Sequence, residues 1–317
     1  MASYLTSTTL IESVKRRAAI PESQSTFETD DFLAFANEEI SIGILPTMMQ
    51  YHEEFLVYSE TIPLVANKSS YPIPHRAVGS KIRTMFYQDT SGNLQEMARI
   101  NPEDLPYYQS SSSANRHVEY YIQNNNVVLV RTVGDSVSGS LVVTYYLRPN
   151  QLVSSDKVSV IQSINRTTGD ISVNRVPSTF NLVDTVDLLQ TKGGHRTYVM
   201  DLSLTGLNAT TKVVTLSPGN IPEDLVVGDV VALSGECFIP QIPDDLHSVL
   251  AQRVAARCLE AQGDREALNA ANAKLTEMEM KMGNLIDNRS EGNPQKVVNL
   301  RSPLRGGNAR RGGRRGV

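Results

Sequence analysis

The apolar residues of this chain change their spacing twice, and that double change limits the fold more than any single motif does. Up to about Val57, and again beyond Pro240, apolar side chains recur every three to four residues. Between those points they alternate in short runs separated by Gly, Pro, Asn and Asp. A chain that is helical at both ends and stranded in the middle buries its terminal faces most simply by packing the two ends together. The expected class is therefore α+β: a helical bundle built from N- and C-terminal helices, with central antiparallel β domain(s) and a C-terminal arm that is disordered until bound. The expected segments are 1–58, 59–150, 151–239, 240–290 and 291–317, and 317 residues are ample for a real core.

In the first segment, Thr9-Leu10-Ile11-Glu12 reads as a capping box opening a short helix, with Leu10, Ile11, Val14 and Ala18 on one face and Pro21 beyond its end. Thr29-Asp30-Asp31 opens a second helix, its acids beside the positive end of the dipole. Phe32, Leu33, Phe35, Ala36, Ile40 and Ile44 supply the buried face. Pro46 removes a donor and clashes one turn back, so a kink or interruption is expected there before the helical pattern resumes to about Val57.

The middle reads as two β blocks. In the first, Glu60 to Pro74 gives short extended pieces, and Lys81–Tyr87 is a strand returned by Leu94–Ile100. Asn101 to Asp104 then turns into a short helical segment ending at Tyr108. Glu119–Ile122 and Val127–Thr132 flank Asn124-Asn125-Asn126, residues that tolerate the positive φ of a tight hairpin, and Ser140–Arg148 is a further strand. In the second block, Val158–Ile161, Ile171–Val173, Val186–Gln190, Tyr198–Leu204, Lys212–Leu216 and Val230–Leu233 are strands at the spacing of a small sandwich or barrel inserted in the chain.

Helices return at Pro243-Asp244-Asp245, with Leu246, Val249, Leu250, Val254 and Leu259 as a stripe, Gly263 as the left-handed stop and Asp264 as the next cap. In the last helix Leu268, Ala271, Leu275, Met278, Met282 and Leu285 fall at alternating spacings of three and four. That seam suits a helical hairpin, packing within the bundle, or an oligomer contact.

Residues 296–317 hold six arginines and one lysine without an acid, among them Arg301, Arg305, Arg310, Arg311, Arg314 and Arg315. Removing those seven charges from the net of −4 leaves about −11 on the rest of the chain. A cationic, Gly-rich tail with so few apolar residues reads as an arm seeking an anion, either nucleic acid or a negatively charged groove on a partner protein. It contains no aromatic residue, so the stacking half of an RNA-binding mechanism is missing.

Catalytic chemistry is not visible. His52-Glu53-Glu54 has no second histidine one turn on, and the five histidines (His52, His75, His117, His195, His247) show no paired spacing. There is no GxSxG, no P-loop and no GxGxxG after a strand, and Gly193-Gly194-His195-Arg196 reads as a hairpin turn. No metal and no cofactor are expected. Cys237 and Cys258 read as small buried hydrophobes in a reducing compartment. With no run of 18 apolar residues and no secretory pattern at the N-terminus, no membrane span is expected, and synthesis in a cytoplasm is.

The segment from Glu236 to His247, running into AQRVAARCLEAQGD, resembles the head-to-tail connector proteins of tailed bacteriophages, in particular the tail tubular A-like adaptors of short-tailed phages. DDFLAFANEEISIGILPTMMQYHEEFLV, KLTEMEMKMGNLIDNR and the Arg-rich end share the resemblance. It implies a virion protein of the neck or tail, assembled in the host cytoplasm as a homo-oligomeric ring, typically of twelve copies. The implied partners are the portal protein, reached by the arm, and a tail or nozzle protein, with genomic DNA passing through the lumen. The block 151–239 departs from the smaller members. The competing readings are a nucleic-acid-binding protein that grips phosphate with its tail, a tail-associated hydrolase hidden in the β block, against which stands the absence of a convergent acid, base, nucleophile or metal set, and another neck component such as a tail terminator or nozzle.

Overall fold

The computed structural model describes residues 5–23, 26–106, 119–130, 139–192 and 195–286. These belong to one compact unit, and the segment from Asn288 onward lies outside the described residues. The first helix, α1 (Ser7–Arg17), starts one turn earlier than the sequence suggests. Thr6, not Thr9, is its cap: Thr6 Oγ1 accepts the Thr9 N–H at 3.3 Å and Thr9 Oγ1 accepts the Thr6 N–H at 2.8 Å. Two threonines three apart do what a Thr–Glu pair would do, and Glu12 instead pairs with Arg16 one turn on.

Helix α2 (Thr29–Glu38) starts where expected, with the Glu28 N–H donating to Asp31 Oδ2 at 2.8 Å. The expected interruption at Pro46 takes the form of a π-turn over Glu39–Ile44 before α3 (Leu45–Tyr51). Pro46 has no N–H for the carbonyl one turn back, and the ladder widens so that Leu45 N–H reaches Ile40 O. The helical pattern ends sooner than expected, with a 3-10 turn over Glu53–Leu56 and a strand already at Val57.

Two four-stranded sheets follow. β1 (Val57–Pro63), β8 (Ser140–Leu147), β3 (Ala77–Gln88) and β4 (Leu94–Glu96) form the first, in that order. β2 (Ser70–Pro72), β7 (Asn126–Leu129), β6 (Glu119–Gln123) and β5 (Ala98–Arg99) form the second. Tyr71, Met85, Val127, Leu129, Leu141, Val143 and Tyr145 bury themselves in the core the two sheets share. The expected return strand Leu94–Ile100 is split: Leu94–Glu96 stays with β3, whereas Ala98–Arg99 crosses to pair with β6 in parallel. The β6–β7 hairpin turns on Asn124 and Asn125, with φ of 48° and 60°, the left-handed pair that matches the strand twist.

The next elements are β9 (Gln151–Leu152), β10 (Ser159–Asn165), β11 (Asp170–Val173), β12 (Thr185–Leu189), β13 (Thr197–Ser203), β14 (Gly206–Asn208), β15 (Val213–Thr215), β16 (Val230–Leu233) and β17 (Glu236–Cys237). Seven of them make one sheet in the order β13-β12-β16-β10-β11-β15-β14. Its two edge strands, β13 and β14, are joined by two residues, Leu204 and Thr205. Laid flat, strands one and seven would be about 29 Å apart at ~4.8 Å per strand, whereas three Cα steps span at most about 11 Å. The sheet must therefore curl on itself, and Ile161, Ile171, Val186, Leu188, Leu202, Leu204 and Val214 fill the barrel-like interior. β17 and β9 pair in parallel at its base.

Helix α4 (His247–Gln262) is apolar nearly all round, with Val249, Leu250, Ala251, Val254, Ala255, Ala256, Cys258 and Leu259 buried. It packs on α1, on α2 and on α5 (Arg265–Ile286), which joins the two ends of the chain in one bundle core. Gly263, at φ 76°, closes α4, and Asp264 Oδ1 accepts the Ala267 N–H at 3.0 Å to start α5. Both cysteines are buried free thiols, and burial pushes the Cys258 thiol up to about 11. Among the described residues no helix is long and apolar enough to cross a membrane.

Candidate functional site

Three polar clusters lie where these layers meet, and each is built by a different part of the sequence. The first centres on Arg76, between β2 and β3. Its guanidinium donates to both Asp187 carboxylate oxygens, at 2.6 and 3.0 Å, and to Asp201 Oδ1 at 2.8 Å. Asp187, in β12, is fully buried and also accepts from Asn150 Nδ2 and from the Asp201 and Gly235 N–H groups. Burial alone would lower the Arg76 pKa, but its bonds to Asp187 and Asp201 outweigh that and hold it above its ordinary value. The fork thus ties the loop ahead of β3 to the barrel strands β12 and β13.

The second cluster sits on the π-turn. Glu39 Oε2 accepts from Arg253 Nη1 at 2.9 Å and Glu39 Oε1 from Arg257 Nε at 2.7 Å, both arginines lying on α4. Arg253 also pairs with Glu279 on α5, and Arg257 with Glu38 and Glu260. Burial would raise the Glu39 carboxyl, yet the bonds to Arg257 and Arg253 prevail and hold it below the usual range. Gly43 faces this cluster: a Cβ there would come within 2.2 Å of Arg253 Nη1.

The third cluster joins His195, Asp244 and His247. His195 Nε2 lies 2.6 Å from Asp244 Oδ1, and the two imidazoles stack with centroids 5.6 Å apart. His247 Nδ1 accepts the Leu5 N–H at 2.8 Å, while its Nε2 faces the carbonyls of Pro240 and Ile242, each at 3.2 Å. Burial, then the neighbouring His195, depress the His247 pKa to about 4. The histidines had no paired spacing in the chain, so no motif could announce this meeting. The one local sign was Asp244-Asp245 two residues ahead of His247, which reads equally well as a helix start.

Of the residues singled out from the sequence, Ala271 and Met282 are buried in the bundle core, and Leu268, Leu275 and Met278 pack half-buried against it. The side chain of Leu285 and the arm residues Arg301, Arg305, Arg310, Arg311, Arg314 and Arg315 lie outside the described residues, as do Gly193 and Gly194. Large apolar side chains turned to solvent include Ile42 on the π-turn, Met280 on α5, and Leu182-Val183 and Val226-Val227 on the barrel loops.

No convergent nucleophile, base and oxyanion donor set is apparent in these clusters, whose charged groups are consumed by one another. Their chemistry is that of joints between layers. The comparisons with known proteins agree with a protein of that kind. No curated protein matches the chain. The family model of the SU10 adaptor protein matches residues 5–167, from α1 through the two facing sheets and into the β10–β11 turn. The matched stretch contains the N-terminal helices that carried part of the resemblance, and it ends before the segment Glu236–His247, the last helix and the arm. Since it spans just over half of the 317 residues, the chain belongs to the SU10 adaptor family of phage proteins, a structural and non-enzymatic kind.

Proposed function

We propose that this protein is a head-to-tail adaptor of a tailed phage virion, assembling as a ring, of twelve copies by analogy with the short-tailed phage adaptors its helical ends resemble. In this reading the ring sits between the portal and a tail or nozzle protein, DNA passes through its lumen, and the Arg-rich arm anchors each copy to the portal. The family match carries the adaptor reading. The charge distribution supports the rest: about −11 on residues 1–295 opposes adhesion of DNA to the body, and seven cations within residues 296–317 suit a carboxylate-bearing groove. Because the α5 seam is used within its own bundle, side-by-side contacts between copies fall to other faces, and Ile42 and Met280 offer exposed apolar area there.

Truncation after Asn299 is the test. The shortened protein keeps the wild-type melting temperature, because the bundle and both β cores end before it, but no longer co-sediments with portal-bearing heads. Normal attachment of the truncated form would end the arm reading. Tight, salt-sensitive binding of DNA by the isolated protein would favour a phosphate-gripping tail instead.

A further inference from the structure

The cluster of His195, Asp244 and His247 has a property that a simple polar joint does not need. Two imidazole nitrogens and one carboxylate oxygen, from segments 49 and 52 residues apart in sequence, lie mutually within 4.8 Å. Both rings are buried, and Asp244 is about a third exposed, so the carboxylate forms the wet side of the cluster. His195 holds its ring there at a positive φ of 53°, a conformation that costs a non-glycine residue energy and persists where its surroundings impose it. Gln241 imposes it: its Nε2 donates to His195 O at 3.2 Å and to Thr197 Oγ1 at 3.0 Å, and its Oε1 accepts the Asn150 N–H at 2.7 Å.

We propose that His195, Asp244 and His247 bind a first-row divalent transition metal, with Zn2+ the best match to two imidazoles and one carboxylate. The fourth position is left to water on the Asp244 side. Ligand atoms sharing a tetrahedral zinc sit about 3.3 Å apart. The 2.6 Å separation of His195 Nε2 and Asp244 Oδ1 therefore opens by about 0.7 Å as the proton between them gives way to the ion, while a separation as wide as 4.8 Å closes by about 1.5 Å. A neutral imidazole is the form a metal requires of each ring.

The hydrogen bonds add a consequence. A neutral imidazole has a single lone pair, and His247 now spends it on the Leu5 N–H while its Nε2–H points at the two carbonyls. Metal and Leu5 compete for that lone pair, whichever ring nitrogen ligates. Uptake of the ion therefore unties residue 5 from α4, so the site couples metal to the seating of the N-terminal segment.

The experiment uses the full-length protein, stripped with a chelator and titrated with ZnCl2 against a chromogenic competitor, and with Co2+ read by its visible absorption. The expected result is one ion per chain, a tetrahedral-type Co2+ spectrum, and faster amide exchange at Leu5 once zinc is added. Loss of an outer partner alone weakens metal sites 10- to 100-fold, so His195→Asn and Asp244→Asn each weaken binding at least about tenfold. His75→Asn, at a largely exposed histidine, leaves binding unchanged. Asp244→Asn alters a partly exposed side chain, so it reports on the site even if a histidine variant fails to fold. Absence of binding at micromolar zinc, or binding unaltered by both His195→Asn and Asp244→Asn, overturns the proposal and leaves the cluster a proton-bridged clamp.

Discussion

Arg76 and Asp187 show how a single residue pair can dominate the joint between two β layers. A buried ion pair adds little net stability over an apolar pair, but removing one member strands the other charge away from water. Asp187 is fully buried and receives five hydrogen bonds, two of them from Arg76. Replacing Arg76 with Leu is therefore expected to cost about 3–5 kcal/mol in urea unfolding. The double change Arg76→Leu with Asp187→Leu is expected to recover a large part of that loss, and a double-mutant cycle measures the coupling. Glu39 gives the pH counterpart. Its folded pKa lies below its ordinary value of 4.5, so its stabilising contribution is full above about pH 4.5 and is lost as pH falls through the folded pKa. The stability gap between wild type and Glu39→Gln should therefore be constant near neutrality and shrink below about pH 4.5, as followed by urea midpoints across that range.

At the scale of elements, what could be read in advance depended on how local its cause was. Periodicity and turn chemistry are properties of a few neighbouring residues, so the Asn124-Asn125 hairpin, the Gly263 stop, the Asp264 cap and the Pro46 interruption were all legible. The cap at Thr6 was missed because Thr–x–x–Thr closes the same two bonds as the Thr–x–x–Glu pattern sought at Thr9. The crossing of Ala98–Arg99 to the second sheet was hidden because the change of partner between Glu96 and Ala98 leaves no mark on alternation. The meeting of His195 with His247 depends on how three layers dock, which no window of sequence contains. Gly169, in the β10–β11 turn, carries a more severe local constraint. It holds φ 82°, and a Cβ would stand 2.0 Å from the Leu216 carbonyl oxygen. That oxygen belongs to backbone and cannot swing away, so Gly169→Ala is expected to destabilise by at least about 2 kcal/mol, measured by thermal or urea unfolding. Alanine at Gly219, where a Cβ meets nothing, serves as the comparison.

For the whole molecule, the chain order determines what each part can reach. α4 is 16 residues and α5 is 22, and they run antiparallel from the Gly263 turn. At ~1.5 Å per residue the second helix overshoots the start of the first by about 9 Å. Ile286, its last residue, is buried in the same core as Met48 and Leu56, so the far end of α5 is packed inside the bundle. The truncation after Asn299 leaves this packed end of α5 intact.

The parallel pair of β9 and β17 bears on how such a protein could gain or shed a module. Gln151 faces Glu236 and Leu152 faces Cys237, so the chain enters and leaves the barrel side by side. Everything between could be spliced out and the gap bridged by a linker of a few residues. The obstacle is apolar: Cys237 and Ile239, which stay, are buried in one cluster with Val158, Leu189, Val230 and Ala232, which leave with the excised part. A version lacking 153–235 should stay soluble when Cys237 and Ile239 are exchanged for polar residues and aggregate when they are kept, a difference visible in soluble yield and in circular dichroism. Losing the barrel in one step would leave these two apolar side chains facing water, so they have to be replaced first.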